Sequence, residues 1–210
     1  DLSGKSMLSK DEMMVLDMLA TNNWERPIYW SITVGRSKYL NLSDYFQVEG
    51  FAYRLVPIKT QSNPQQLQFG RVNTSVMYDN LMNNFKWGNM NDPEVYLDET
   101  NTRMMTNIRN SFNRLASALV EEGKKDSAIA VIDRCNELLP NSIIPYEYFA
   151  LELANSYVRA GANDKGLEMV ETAYGVFNDE LNYYFSLQPK FMAGIVEEIQ
   201  RKLFYMQQLQ

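Results

Sequence analysis

No histidine occurs among the 210 residues of the sequence. Histidine is the commonest general base, a usual zinc ligand and the required partner in Ser-His and Cys-His nucleophile pairs. Its absence therefore excludes most familiar hydrolase mechanisms. The single cysteine, Cys135, permits no internal disulfide, so cysteine content does not indicate the cellular compartment.

Long apolar runs and clusters of basic residues are also missing. A membrane-spanning helix needs roughly 20 consecutive apolar residues, and the sequence has no such run. Its first ten residues, DLSGKSMLSK, are too polar for a signal peptide. The 20 Lys and Arg residues are scattered among 26 Asp and Glu, so we expect no nucleic-acid partner. Because the chain begins without Met and ends within a helical pattern, we expect it to be part of a longer protein.

The composition that remains is typical of a globular protein, with 45% hydrophobic and 22% charged residues. A helix is predicted over residues 10–21, because Ser9 and Glu12 have the spacing of a capping box. The stretch WERPIYWSITV then predicts a half-buried strand, with Ile28 and Trp30 on its apolar face. A short helical segment in YLNLSDYFQVEG and a second strand ending at Pro57 complete a small α/β unit over residues 1–60.

Helical periodicity dominates the rest of the chain. We expect a polar linker or hairpin over residues 61–76, within a segment 61–93 that ends in a connecting helix, and a helical repeat domain over 94–210. Helices are predicted over 94–122, 126–138, 145–160 and 164–177. A capping helix is predicted over 189–210, with Ile199 and Leu203 on its apolar stripe and Lys202 off it. The predicted fold is therefore mainly α, with a small N-terminal α/β unit followed by an array of paired helices.

Two segments of this array, 109–142 and 147–180, are similar to each other. In the first, nine residues occupy characteristic offsets: Phe112, Leu115, Ala116, Leu119, Gly123, Ala128, Ile132, Cys135 and Pro140. The second has Ala150, Leu153, Ala154, Tyr157, Gly161, Gly166, Val170 and Ala173 at the matching positions, but Asn178 replaces the closing proline. Both segments resemble tetratricopeptide repeats. Small residues at positions such as Ala154 and Gly166 are expected to let neighbouring helices approach closely.

Three N-terminal motifs, NNWERPIYW, YLNLSDYF and GFAYRLVP, carry a second resemblance when followed by two helix pairs. Together they are similar to the C-terminal region of a bacterial family of multi-spanning inner-membrane proteins, described as protein O-mannosyltransferase-like within the membrane glycosyltransferases. The resemblance implies that this chain lies on the periplasmic face. It also implies that catalysis, with a lipid-linked sugar donor, belongs to a part of the parent protein that this sequence does not contain.

No catalytic, cofactor-binding or metal-binding residue is predicted. Adjacent acidic pairs such as Glu121-Glu122 point about 100° apart on a helix and do not form an acid/base pair. The acidic segment NMNDPEVYLDET does not match a calcium loop, and a helix cap at Asp92 explains it more simply. Cys135 is expected to be a packed thiol.

The candidate partner-binding residues are polar positions, expected to be exposed, on the first helix of each repeat, and two aromatic residues of the predicted strand region. They are Asn113, Ser117, Glu147, Glu152, Asn155, Arg159, Trp24 and Tyr29. The expected function is recognition of a protein or peptide, or of a glycan acceptor, by a non-catalytic periplasmic domain of a membrane glycosyltransferase-like protein. The alternative is a free-standing, cytoplasmic repeat adaptor that binds a peptide.

Overall fold

The computed structural model describes residues 6–60, 69–192 and 194–209. Most of these residues are helical, with a four-stranded sheet near the N-terminus and a helical array after it. This confirms the predicted mainly α fold class. The chain forms two compact units, residues 1–84 and 85–210.

The first unit opens with helix α1, Lys10–Thr21, whose bounds agree with the prediction. The Glu12 carboxylate accepts a hydrogen bond from the Ser9 amide at 2.9 Å, which confirms the capping box. Lys38 lies in a short 3-10 turn and forms a 2.8 Å ion pair with Asp11 of α1. The beginning of α1 is thus fixed both by its own cap and by a residue nearly thirty positions away.

Four short strands follow, β1 (Tyr29–Ser31), β2 (Phe46–Val48), β3 (Ala52–Leu55) and β4 (Arg71–Val72). They lie in the order β1-β3-β2-β4, with β4 parallel to β2 and the other pairs antiparallel. One face of the sheet is apolar and buried. It carries Trp30, Phe46, Val48, Tyr53 and Leu55, and the rings of Phe46 and Tyr53 stack at 5.2 Å. Aromatic packing is therefore a large part of the core of this small unit.

Two predictions about these strands need correction. The first strand stops at Ser31 because the Val34 amide bonds back to the Ser31 carbonyl at 3.1 Å and turns the chain. The segment predicted to be helical up to Gly50 contains a 3-10 turn, Ser43–Tyr45, but then becomes β2, because Phe46 and Val48 pair with β3. Residues 61–68 of the predicted linker or hairpin lie outside the described part of the chain. After that gap come β4 and helix α2, Thr74–Asp79, which continues as a π-helical turn over Asn80–Asn84.

The second unit contains helices α3 (Glu99–Glu121), α4 (Lys125–Leu138), α5 (Tyr148–Ala160), α6 (Asn163–Ser186), α7 (Pro189–Met192) and α8 (Val196–Gln208). Helix α3 packs on α4 and α5, α5 packs on α6, and α6 packs on α8. The short connections after α3 and α5 make each consecutive pair an antiparallel hairpin. A Cβ added at Gly166 of α6 would lie 3.0 Å from the Ala154 carbonyl of α5, so these two helices do approach closely where small residues were noted.

Helix boundaries differ from the prediction at several places, and α5, for example, begins at Tyr148 rather than at residue 145. Helix α3 begins at Glu99 because the Asp98 carboxylate accepts a 2.7 Å bond from the Asn101 amide, whereas Asp92 accepts one from Glu94 in a turn. Helix α6 runs to Ser186, nine residues further than expected. The predicted terminal helix is divided into α7 and α8.

The buried stripe of α8 also differs from the predicted one. Ile199 is buried as expected, but Leu203 is 42% exposed. Lys202, which was placed off the stripe, is only 4% exposed. Its ammonium lies 2.6 Å from the Glu180 carboxylate of α6 and 5.1 Å from the Phe177 ring centroid. The ion pair and the cation–π contact of Lys202 therefore hold α8 against α6, whereas the apolar periodicity predicted that Leu203 would be buried there.

Candidate functional site

Five of the sequence-predicted partner-binding residues lie on helices α3 and α5, which pack against each other. We call this set the α3–α5 face: Asn113 and Ser117 on α3, with Glu152, Asn155 and Arg159 on α5. The spacing of the three α5 residues places them along one side of that helix. Glu147, a sixth candidate, is exposed at the N-cap of α5.

Asn113 and Glu152 form the base of this face. The Asn113 amide nitrogen donates a hydrogen bond to a Glu152 carboxylate oxygen. Asn113 is only 5% exposed, so the expectation that it is exposed is wrong: its side chain points into the contact between the two helices. Ser117 is half-buried, whereas Asn155 and Arg159 are exposed. The exposed side chains of the α3–α5 face are therefore those of Asn155 and Arg159.

A buried arginine on α3 supports the same region. Arg109 is 1% exposed, and its guanidinium donates to the carbonyls of Leu139, Ile144 and Pro145 at 3.0, 2.7 and 2.9 Å. The guanidinium also lies 5.2 Å from the Tyr146 ring centroid. Burial lowers the pKa of Arg109. Because these carbonyls belong to the end of α4 and the loop before α5, Arg109 fixes the connection between the two helix hairpins.

A pocket of about 290 Å³ opens among α4, α5, α6 and the loop before α5. We call it the polar pocket; its lining residues are Asp133, Asn136, Tyr146, Tyr157, Lys165, Glu168, Met169 and Thr172. These residues come from four segments of the chain, and only their convergence in the fold creates the site. Sequence reasoning did not find the pocket, because the spacing of these residues has no recognisable pattern.

Asp133 is the centre of the hydrogen bonding in the polar pocket. It accepts a 2.7 Å bond from the Tyr157 hydroxyl, and both its oxygens lie 2.7 Å from the Lys165 ammonium. Asn136 donates to the Tyr157 hydroxyl at 3.3 Å and accepts from the Tyr146 hydroxyl at 3.4 Å. Burial, together with the bond to Asp133, raises the pKa of Tyr157, so this hydroxyl remains a donor at any physiological pH.

A second polar surface lies on the face of the sheet opposite its aromatic core. Strand register places four side chains in a row across all four strands, and we call this set the polar row: Tyr29, Arg54, Gln47 and Arg71. Arg71 donates to Gln47 at 2.8 Å, and Gln47 donates to the buried Glu49 at 2.7 Å. The Tyr29 hydroxyl also donates to Glu49, at 2.9 Å.

Tyr29 and Trp24, the two aromatic candidates, are both partly accessible. Tyr29 is 46% exposed and Trp24 is 59% exposed. Burial, followed by the bond to Glu49, raises the pKa of Tyr29. Trp24 adopts a left-handed backbone conformation with φ of 60°, just before the strand begins. Both residues belong to the first unit, whereas the α3–α5 face belongs to the second.

Cys135 is a packed residue, as predicted. It is 0% exposed, and burial raises the pKa of its thiol from 9.0 to about 12 although Arg109 nearby acts in the opposite direction. A thiol that remains protonated is a poor nucleophile. Within the described residues there is no group of three or more Cys, Asp and Glu side chains that could hold a metal ion. In residues 6–60, 69–192 and 194–209, no helix has both the length and the apolar character needed to cross a membrane.

The fold and these surfaces define a small sheet-and-helix unit followed by a helical array with polar surfaces. Residues 1–76 are similar to the family described as TMEM260-associated domain 2, which links this part of the chain to a membrane protein family. The match spans α1, the four strands and the start of α2, and it does not extend into the helical array. No curated protein and no solved structure matches the chain.

Proposed function

We propose that this chain is the recognition region of a membrane glycosyltransferase-like protein and that it binds a partner without performing catalysis itself. In this proposal it lies on the periplasmic face of the bacterial inner membrane, and the chemistry takes place elsewhere in the parent protein. Two findings support the proposal: the similarity of residues 1–76 to a domain associated with a membrane protein, and the resemblance of the N-terminal motifs to inner-membrane transferases.

The observation that carries the recognition role is the construction of the α3–α5 face. Asn155 and Arg159 are exposed on α5, and the part-buried Asn113–Glu152 hydrogen bond ties that helix to α3. Exposed polar groups on a rigid element need little ordering when they bind. This arrangement suits a protein or peptide partner whose main-chain amides pair with Asn155. A carboxylate of the partner would pair with Arg159.

A glycan acceptor is the second class of ligand within the same proposal, and the exposed aromatic residues of the first unit favour it. Sugar rings pack against flat aromatic faces. Trp24 and Tyr29 offer such faces, at 59% and 46% exposure. In this case the first unit would contribute the acceptor site, and the helical array would contribute the protein-binding face.

Site-specific photo-crosslinking in the full-length parent tests the role of the α3–α5 face. A photoreactive amino acid at Asn155 should crosslink a defined partner in cells, whereas the same residue at Asn182, an exposed position of α6, should not. The purified partner should then bind the Asn155→Ala, Arg159→Ala double variant at least about tenfold more weakly, with thermal stability unchanged. Equal affinity for the wild type and the double variant would refute the role of this face.

The compartment can be tested with the natural cysteine as a built-in control. Cys135 is buried, so the wild-type chain should not react with a membrane-impermeant maleimide. An Asn182→Cys variant of the full-length parent places a thiol on an exposed helix position and should be labelled in cells with a permeabilised outer membrane and an intact inner membrane. Labelling only after the inner membrane is broken would contradict a periplasmic location and favour the cytoplasmic adaptor.

A further inference from the structure

The polar pocket has a charge that selects among ligands. Two carboxylates, Asp133 and Glu168, and one ammonium, Lys165, line it, so its net charge is -1. Glu168 and Thr172 are exposed on α6, whereas Tyr146 and Tyr157 are only 8% and 2% exposed. Both tyrosines are therefore closed off, and a ligand would meet mainly the more accessible side chains of Asp133, Lys165, Glu168 and Thr172.

A lysine of the chain already occupies part of this pocket as a cation would. The Lys165 ammonium contacts both Asp133 oxygens and lies 5.9 Å from the Tyr157 ring centroid. The Lys165 and Asp133 side chains are 47% and 37% exposed, and ion pairs this accessible contribute only about 0–1 kcal/mol. An incoming cation can therefore displace Lys165 at little cost.

We propose that the polar pocket binds a guanidinium group, as carried by an arginine side chain. A guanidinium is planar and donates two parallel hydrogen bonds to one carboxylate, whereas the ammonium of Lys165 acts as a point charge. After Lys165 swings out, Asp133 accepts the guanidinium and Glu168 lies on the same lining to accept its remaining donors. The proposal is independent of the α3–α5 face, which is formed by other residues.

Other small ligands fit the pocket less well. An anion would have to approach two carboxylates with only Lys165 in its favour. A sugar would find no exposed ring face on Tyr146 or Tyr157 to stack on. The volume of about 290 Å³ accommodates a side chain but is small for a larger organic ligand.

Titration of the intact chain with N-acetyl-arginine amide, followed by NMR, tests the proposal. Shifts should appear in the Thr172 and Glu168 amide signals, while N-acetyl-citrulline amide, which has the same shape and no charge, should bind at least about fivefold more weakly. Free arginine provides a second arm. Tighter binding of the amide would indicate an arginine residue within a peptide, and tighter binding of free arginine would indicate the amino acid.

Three variants sharpen the test. Lys165→Gln removes the competing cation and should strengthen binding about fivefold, and Glu168→Gln should weaken it by a similar factor. Glu171→Gln removes the same charge from an exposed position of α6 outside the lining and should leave binding unchanged. Equal binding of the citrulline analogue, no strengthening in Lys165→Gln, or equal weakening in Glu171→Gln would overturn the proposal.

Discussion

Two glycines of the same helix should respond to alanine in opposite directions. Gly166 and Gly175 both lie in α6. A Cβ at Gly166 would lie 2.7 Å from a methyl of Val158 and 3.0 Å from the Ala154 carbonyl, both on α5. A Cβ at Gly175 would meet no atom within 4 Å. Comparing the two alanine variants therefore separates the effect of helix propensity on stability from the effect of helix packing.

The magnitudes follow from these distances. Alanine stabilises a helix interior relative to glycine by about 0.8–1 kcal/mol, so Gly175→Ala should raise the free energy of unfolding by nearly that amount. Gly166→Ala gains the same backbone contribution but forces α5 and α6 apart, because the Ala154 carbonyl is backbone and cannot rotate away. Overpacking of this kind costs about 1–3 kcal/mol, so the net change should be a loss of up to about 2 kcal/mol.

Urea unfolding followed by the helical circular dichroism signal measures both variants. The midpoints should move in opposite directions while the slope of free energy against urea stays the same. A Gly166→Ala protein as stable as Gly175→Ala would refute the close approach of α5 and α6. Gly166→Ser, which adds the same Cβ with a hydroxyl, should be no better tolerated than alanine.

Three further predictions concern buried groups. Arg109→Met leaves three carbonyls without their donor and should lower the free energy of unfolding by about 3–5 kcal/mol. Arg103→Met, at an exposed position of the same helix, should change it by less than about 0.5 kcal/mol, and urea unfolding of both variants measures the difference. Cys135 should react with maleimide only on unfolding, and because its folded pKa is raised, stability measured against pH should fall as pH rises above about 9, where the unfolded thiol ionises. In Glu49→Gln the pKa of Tyr29, followed by ultraviolet absorbance, should move down towards its ordinary value.

Local signals predicted the helices well, and long-range contacts explain where they did not. The bounds of α1 agree with the prediction because its capping box involves residues only three apart. Strand β2 was missed because three residues are too few to show a period, and its extended conformation depends on pairing with β3. Lys202 was wrongly predicted to lie off the buried stripe of α8, because periodicity considers only apolar residues and does not detect its ion pair with Glu180 on α6.

For the candidate binding residues, too, local pattern predicted the position on a helix but not the contacts with other helices. Repeat register placed Asn113, Asn155 and Arg159 on the first helix of each repeat, but register does not reveal that Asn113 is used in bonding Glu152. The polar pocket was not found at all. Its Asp133–Lys165 pair joins residues 32 positions apart on α4 and α6, and no local pattern marks either residue.

Under the proposed function, exposed residues of the α3–α5 face contact the partner, whereas buried residues hold the helices in place. Substituting Asn155 or Arg159 removes an exposed side chain, so binding can change while the helices stay packed. Substituting Arg109 withdraws a donor from three carbonyls at the connection between the helix hairpins, so binding would be lost through the fold. A loss of binding therefore identifies the α3–α5 face only when stability is unchanged. We expect the Asn155→Ala, Arg159→Ala variant to meet that condition, because both side chains are exposed, and variants of the buried Arg109 or Asn113 to fail it.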